Sequence, residues 1–124
     1  MDKKNFTCPC CGYNGLEIKP YENMPDPPIH TADLKPPYLQ HWGKASYDIC
    51  VCCGFEYGLD DEPGGEFEPS TFEAYLQNWV QVENCKWFDI KLRPLNWNIA
   101  EQLKNADMSV PAYILDSKQL PVKK

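Results

Sequence analysis

Six of the seven cysteines in this 124-residue chain lie in two short segments that share one spacing. The segments are Cys8-Pro9-Cys10-Cys11-Gly12 and, 42 residues later, Cys50-Val51-Cys52-Cys53-Gly54. The outer cysteines of each segment form a CxxC pair, which can place two sulfurs about 2.3 Å from one tetrahedral ion. Glycine after each pair suits a tight turn around a metal. The predicted metal ligands are therefore Cys8, Cys11, Cys50 and Cys53.

Four thiolates in a tetrahedral array predict a structural Zn²⁺, with iron as the alternative because the same ligands suit both metals. A site with four protein ligands has no open position for water or substrate, so catalysis at the metal is not expected. The chain also shows no phosphate-binding glycine loop, no serine nucleophile elbow and no recognisable pair of catalytic carboxylates. The sequence therefore predicts that this protein is not an enzyme.

The inner cysteines of the two segments, Cys10 and Cys52, occupy equivalent positions. We expect them to pack beside the ligands as small buried side chains, the alternative being a multi-sulfur cluster or a redox pair. Cys85 is expected to be an ordinary, partly buried thiol. The two histidines, His30 and His41, have no spacing that pairs them with the cysteines, so we expect each to be exposed or locally hydrogen-bonded.

Short β segments are predicted next to each cysteine turn. Residues 16–18 follow an Asn-Gly turn, and residues 47–49 and 55–57 flank the second cysteine segment, so each turn is expected to form a β hairpin. Residues 20–37 contain six of the 12 prolines, which predicts an extended insertion between the two halves of the metal site.

Two helices are expected after the second turn. Ser70 and Glu73 have the spacing of a capping box, and a helix is predicted from Ser70 to Asn84. Its apolar residues recur at helical spacing and should face the cysteine turns; they are Phe72, Tyr75, Leu76, Trp79 and Val80. A shorter helix is predicted over 98–107, and residues 112–115 suggest an edge strand.

These elements predict an α+β fold of small zinc-ribbon or rubredoxin-like β hairpins, with two short helices packed alongside. The length suits one domain over 1–124, with a zinc-ribbon core at 6–58 that contains the 20–37 insertion, and a helical and C-terminal part at 69–124. No secretory or membrane-spanning pattern is present, so a cytoplasmic protein with no membrane contact is expected. In that compartment paired cysteines favour metal binding over disulfides.

The net charge of −6 is unevenly distributed, because residues 45–85 hold nine of the 18 acidic residues and none of the 12 Lys and Arg. An acidic stretch of this kind repels phosphate, so nucleic-acid binding is disfavoured and a basic protein partner is favoured. The acidic run comprises Asp60, Asp61, Glu62, Glu66 and Glu68. It is expected to be a solvated turn or part of a partner surface, since it lacks the order of a calcium loop. The aromatic residues expected to be exposed there, as anchors for a partner, are Phe67, Trp87 and Phe88.

Several stretches together resemble the bacterial cysteine-rich CPCC family of small zinc-ribbon-like proteins. They are FTCPCCGYNGL, SYDICVCCGFEYG, the Asp60-Asp61 pair, and TFEAYLQNWV followed by Trp87. The resemblance implies a metal held by the four outer cysteines, and some similar proteins look like immunity proteins in toxin systems. A structural-zinc module that acts through protein–protein interaction, as an immunity protein or small adaptor, is therefore the leading prediction.

Two alternatives remain open. A nucleic-acid-binding zinc ribbon would need a continuous basic face, formed by the C-terminal tail or by Lys3, Lys4, Lys19, Lys35 and Lys44. A rubredoxin-like one-iron electron carrier would use the same four cysteines and show a red thiolate-to-iron absorption band.

Overall fold

The structure, a computed structural model, describes residues 5–25, 28, 31–62 and 64–115. Within these residues the regular elements are short helices joined by long turns. Two 3₁₀ turns occupy Thr31–Asp33 and Ile90–Leu92. The α-helices are α1 (Leu39–Trp42), α2 (Phe72–Gln81), α3 (Ile99–Asn105) and α4 (Ala112–Leu115).

The predicted α+β fold with zinc-ribbon hairpins is wrong for the described part of the chain, which contains no β-strand or sheet. Only three isolated antiparallel bridges occur, Phe6 with Leu16, Tyr21 with Ala45, and Ile49 with Glu56. The predicted strands at 16–18, 47–49 and 55–57 are each reduced to a single bridged residue. One bridge closes each cysteine turn, and the chain then leaves the pairing.

Side chains explain why pairing stops in the second turn. The Glu56 N–H donates to the Asp60 carboxylate at 2.8 Å, and the Gly58 N–H donates to the Asp61 carboxylate at 2.8 Å. These backbone donors are thus satisfied by nearby carboxylates instead of by a partner strand. Backbone angles act in the same direction, because φ is positive at Tyr47 and at Gly58.

Helix α2 confirms the predicted apolar face but not the predicted ends. Its N-cap is Thr71, not Ser70, and the Thr71 hydroxyl accepts from the Ala74 N–H at 3.0 Å. The helix ends at Gln81, three residues early, because the chain adopts positive φ at Asn84 and Cys85. The predicted face is buried at four positions, Phe72, Leu76, Trp79 and Val80, and partly buried at Tyr75.

Helix α3 agrees with its prediction, whereas the predicted edge strand does not. The Asn98 side chain caps α3 by accepting from the Glu101 N–H at 2.8 Å. Residues 112–115 form a single helical turn, α4, instead of an edge strand. Pro111 precedes that turn, and its carbonyl accepts from the Ile114 N–H at 3.0 Å.

The proline-rich segment 20–37 contributes to the core instead of only looping away from it. Tyr21 and Met24 are almost completely buried, and Thr31–Asp33 form a 3₁₀ turn. Tyr38, just beyond the segment, stacks on Phe72 with ring centroids 3.9 Å apart. The core therefore joins this segment to α2, next to the cysteine turns.

Candidate metal centre

The two cysteine turns have the same backbone hydrogen bonds. In the first turn the Cys8 N–H donates to the Tyr13 carbonyl at 2.7 Å, and the Gly12 N–H donates to the Cys8 carbonyl at 2.9 Å. The second turn repeats these bonds at 3.0 and 2.9 Å with its own residues. Gly12 and Gly54 have φ of +86° and +85°, the left-handed region that favours glycine. The glycine after each CxxC pair is therefore required by the turn, as predicted.

The turns bring the four outer cysteine sulfurs together. The Sγ atoms of Cys8 and Cys53 are 3.9 Å apart, those of Cys11 and Cys50 are 3.8 Å apart, and all four lie within 4.8 Å of one another. A tetrahedron with metal–sulfur bonds of about 2.3 Å has edges of about 3.8 Å. The tetrad therefore has dimensions that could hold one metal ion.

Burial makes the tetrad a poor place for four negative charges without a cation. All four side chains are buried, and burial raises the pKa of Cys8, Cys11 and Cys53 well above the usual thiol value. Burial also acts on Cys50, but hydrogen bonds from the other three thiols outweigh it and lower the pKa of Cys50. The neighbouring S–H donors thus favour ionisation of Cys50, and a bound dication would favour ionisation of all four thiols.

The inner cysteines are buried beside the tetrad. The Cys10 thiol donates to the Phe72 carbonyl at 3.5 Å, and the Cys52 sulfur accepts from the Gln102 amide at 3.5 Å. Neither belongs to the group of four sulfurs that could share an ion. These contacts fit the expected packing role. All seven cysteines are free, so no disulfide competes with metal binding.

Helices α2 and α3 fix the positions of the turns. The Tyr75 hydroxyl on α2 donates to the Cys53 carbonyl at 3.3 Å. The Gln102 amide on α3 donates to the Cys11 carbonyl at 3.0 Å as well as to the Cys52 sulfur. Nothing in the sequence singled out Gln102, because an exposed-looking glutamine on a short helix gives no signal of its partners.

Among the described residues, the remaining candidates contribute no ligand atom to the tetrad. The ring of His41 is exposed and shares a 2.9 Å hydrogen bond with the Lys35 carbonyl, whereas His30 lies outside the described residues. Cys85 is partly buried, and burial raises its pKa to about 11. Of the three aromatic residues expected to be exposed, Phe67 and Phe88 are largely exposed, but the prediction is wrong for Trp87, which packs in the core.

One member of the acidic run is structural. Asp61 is fully buried, and its carboxylate accepts from the Tyr21 hydroxyl at 2.9 Å, from the Tyr38 N–H at 2.9 Å and from the Gly58 N–H at 2.8 Å. The carboxylate joins its own turn to two distant parts of the chain, 40 and 23 residues away. Sequence reasoning missed this role because an aspartate in a Gly-rich acidic turn has the pattern of a solvated residue.

A groove of about 820 Å³ lies beside the first cysteine turn. The described residues of its lining supply carboxylates and apolar side chains, with no Lys, Arg or His among them. The Thr31 hydroxyl donates to the Glu73 carboxylate at 2.5 Å, which holds one of the acidic groups in place. The carboxylates are those of Asp33, Glu73 and Asp107, and the apolar lining includes Phe72, Leu76 and Leu103.

In the part of the chain that the structure describes, no helix combines the length and the apolar character needed to cross a bilayer.

Comparison with known proteins finds two similar proteins from Bacillus subtilis (strain 168), both carrying the description "uncharacterized protein". YozI is 27% identical over 106 residues, which cover 84% of this chain and 74% of YozI. YoaQ is 25% identical over 91 residues, which cover 65% of this chain and 62% of YoaQ. No family model matches the chain, and no solved structure gives a significant match. The resemblance to the CPCC family therefore stays a prediction.

Proposed function

We propose that this chain is a structural-zinc module that acts through protein–protein interaction and not as an enzyme. The observation that carries the metal assignment is the sulfur tetrad, two of whose edges, 3.8 and 3.9 Å, fit tetrahedral coordination. Four ligands on two preformed turns would close the site around the ion. Zinc is favoured over iron because the described residues form no second cluster of metal-ligating side chains, and structural turns of this type usually hold zinc.

A cytoplasmic location fits this assignment, since reduced thiols are required for metal binding and the structure contains seven free cysteines. The proposed metal contributes to folding and not to chemistry. Function is therefore sought on the surface around the metal centre.

The groove beside the first turn supports a basic protein partner. Asp33, Glu73 and Asp107 supply negative charge along it, and its apolar lining offers contact area for a side chain with a cationic end. The Tyr113 hydroxyl, also on the lining, is buried and has no hydrogen-bond partner among the described residues. A polar group of a bound partner would supply that hydrogen bond. An immunity protein against a basic toxin or a small adaptor would use such a groove. The same carboxylates disfavour nucleic acid.

The metal assignment is tested by measuring metal content and the absorption spectrum of the purified protein. We expect one zinc per chain and a colourless protein, and a red thiolate-to-iron band would replace zinc with iron. The Cys8→Ser and Cys53→Ser variants should lose metal and stability, because structural zinc contributes about 10–16 kcal/mol of binding free energy that is coupled to folding. Cys85→Ser is the matched control. Full metal content and an unchanged melting curve in Cys8→Ser would exclude the tetrad.

The partner assignment is tested by affinity capture with charge-neutral variants of the groove. The Asp33→Asn/Asp107→Asn double variant should lose basic partners that the natural chain retains. A control double variant, Glu17→Gln/Glu101→Gln, removes two exposed carboxylates that do not line the groove. Equal capture by both double variants would rule out the groove as the binding site.

A further inference from the structure

The segment of residues 86–95 presents large apolar side chains to solvent. Phe88, Ile90, Leu92 and Leu95 expose 61%, 64%, 49% and 91% of their surfaces. Single exposed apolar residues are normal on protein surfaces, but four within eight residues form a patch of the kind that marks interaction sites. We call residues 86–95 the apolar–basic segment.

The backbone of this segment is held against the second cysteine turn. The Phe88 N–H donates to the Cys52 carbonyl at 3.0 Å, and the Asp89 N–H donates to the Val51 carbonyl at 2.9 Å. At its start, the Lys86 carbonyl accepts from the indole N–H of Trp79 at 2.7 Å. The apolar side chains are thus displayed from a backbone with fixed hydrogen bonds, which lowers the entropy cost of binding a partner.

Further contacts hold the end of the segment. The Asp89 carboxylate accepts from the Lys91 N–H at 3.2 Å and caps the 3₁₀ turn Ile90–Leu92. The Arg93 guanidinium lies 5.5 Å from the centre of the Trp97 ring, a cation–π distance. The Asp89 carboxylate is therefore already hydrogen-bonded within the segment.

Charge indicates which partner this patch fits. Lys86, Lys91 and Arg93 are exposed among the apolar residues, and Asp89 is the only acidic residue of the segment. Pairing the same face of two copies would bring these like charges together, which disfavours a symmetric dimer through this patch. A partner with carboxylates beside apolar side chains would pair with the basic residues of the segment and cover its apolar residues.

We infer that the apolar–basic segment docks an amphipathic acidic segment of another protein, and that the metal centre controls how the segment is displayed. This surface lies outside the acidic groove and selects a partner of opposite charge. Its metal dependence rests on the proposed function, because the backbone bonds of the segment run to the turn that carries Cys50 and Cys53. The docking itself does not depend on the identity of the metal.

The test is selection of random peptides displayed on phage against the metal-loaded full-length chain. The variant Ile90→Ser/Leu95→Ser serves for counter-selection. Both residues are exposed, so the fold should be kept, and circular dichroism checks this. We expect selected peptides that combine Glu or Asp with apolar residues. Their affinity by fluorescence anisotropy should fall at least tenfold in the variant, but not in Ile18→Ser, which alters an apolar residue of similar exposure elsewhere.

Each other outcome overturns part of the inference. Selected peptides that are basic, or that bind the Ile90→Ser/Leu95→Ser variant equally well, would exclude the segment as an acidic-peptide site. If such basic peptides lose affinity for Asp33→Asn/Asp107→Asn, the proposed groove still stands. Binding to phosphatidylglycerol vesicles that depends on Ile90 and Leu95, with no selected peptide, would replace the protein partner with a membrane surface. Equal peptide affinity after metal removal would disprove metal control.

Discussion

Replacing the buried Asp61 with Ala should destabilise the protein more than any other change in the acidic run. Its carboxylate accepts hydrogen bonds from the Tyr21 hydroxyl and from the backbone N–H groups of Tyr38 and Gly58. Alanine leaves these three donors without their acceptor in a site that water does not reach. The expected loss in the free energy of unfolding is about 3–5 kcal/mol, since each unsatisfied buried donor costs about 1–3 kcal/mol and partial relaxation recovers some of it.

Asn at position 61 should cost less, because the amide keeps one acceptor oxygen. Two of the three donors, from Tyr21 and Tyr38, reach the same carboxylate oxygen, Oδ2. The amide oxygen is expected to take that position, which leaves the amide NH₂ facing the Gly58 N–H. One hydrogen bond is lost and two weaken, so the expected cost is about 1–3 kcal/mol.

The assay is urea denaturation followed by far-UV circular dichroism, with the same zinc concentration for every variant. Glu62→Ala is the control, because Glu62 is the exposed neighbour of Asp61, and a surface change of this kind should stay within about 0.5 kcal/mol. An Asp61→Ala variant within about 1 kcal/mol of this control would refute the structural role of the carboxylate.

Three further predictions concern the metal centre and the free thiol. Gly12→Ala should lower the melting temperature more than Gly54→Ala, although both residues have positive φ. A Cβ at Gly12 would lie 3.3 Å from the backbone carbonyl oxygen of Gln102, which cannot move away easily. At Gly54 the nearest atom would be the Tyr75 hydroxyl, 3.4 Å away on a movable side chain. Titrating metal-free protein with Zn²⁺ at pH 7 should release about three protons, because the pKa is raised by burial at Cys8, Cys11 and Cys53 and lowered at Cys50. Calorimetry in buffers of different ionisation enthalpy measures this release, and fewer than two protons would contradict the prediction. Cys85 should react with iodoacetamide increasingly fast up to about pH 11, two pH units beyond an ordinary thiol, with Cys85→Ala as the control. The unfolded chain loses the Cys85 proton near pH 9 and the folded chain only near pH 11. The stability of the fold should therefore be unaffected by this thiol below pH 9 and decline as pH rises towards 11.

The cysteine spacing predicted which sulfurs lie together because the geometry of a CxxC turn is local. Gly12 and Gly54 carry the required backbone angle within the same few residues. The apolar face of α2 was also predictable, since helical periodicity records which side is buried. Its N-cap was displaced by one residue, from Ser70 to Thr71, because both residue types can cap a helix.

Features that depend on distant contacts were not predictable in this way. The expected strand at 55–57 failed because the donors of Glu56 and Gly58 bind carboxylates instead of a second strand. The burial of Asp61 depends on Tyr21 and Tyr38, which are 40 and 23 residues away along the chain. A charged residue gives no sign of burial in the sequence when its partners are uncharged donors.

The separation of the two cysteine turns gives the metal the role of a reversible cross-link. A bound ion would join segments 42 residues apart and restrict the unfolded chain much as a disulfide does, an entropic effect of about 4 kcal/mol for a loop of this length. This effect depends only weakly on loop length, because doubling the loop adds about 0.6 kcal/mol. Changing the number of residues between the turns should therefore alter stability only slightly. Replacing Tyr21 or Tyr38, which lie in that interval and donate hydrogen bonds to Asp61, should alter it strongly.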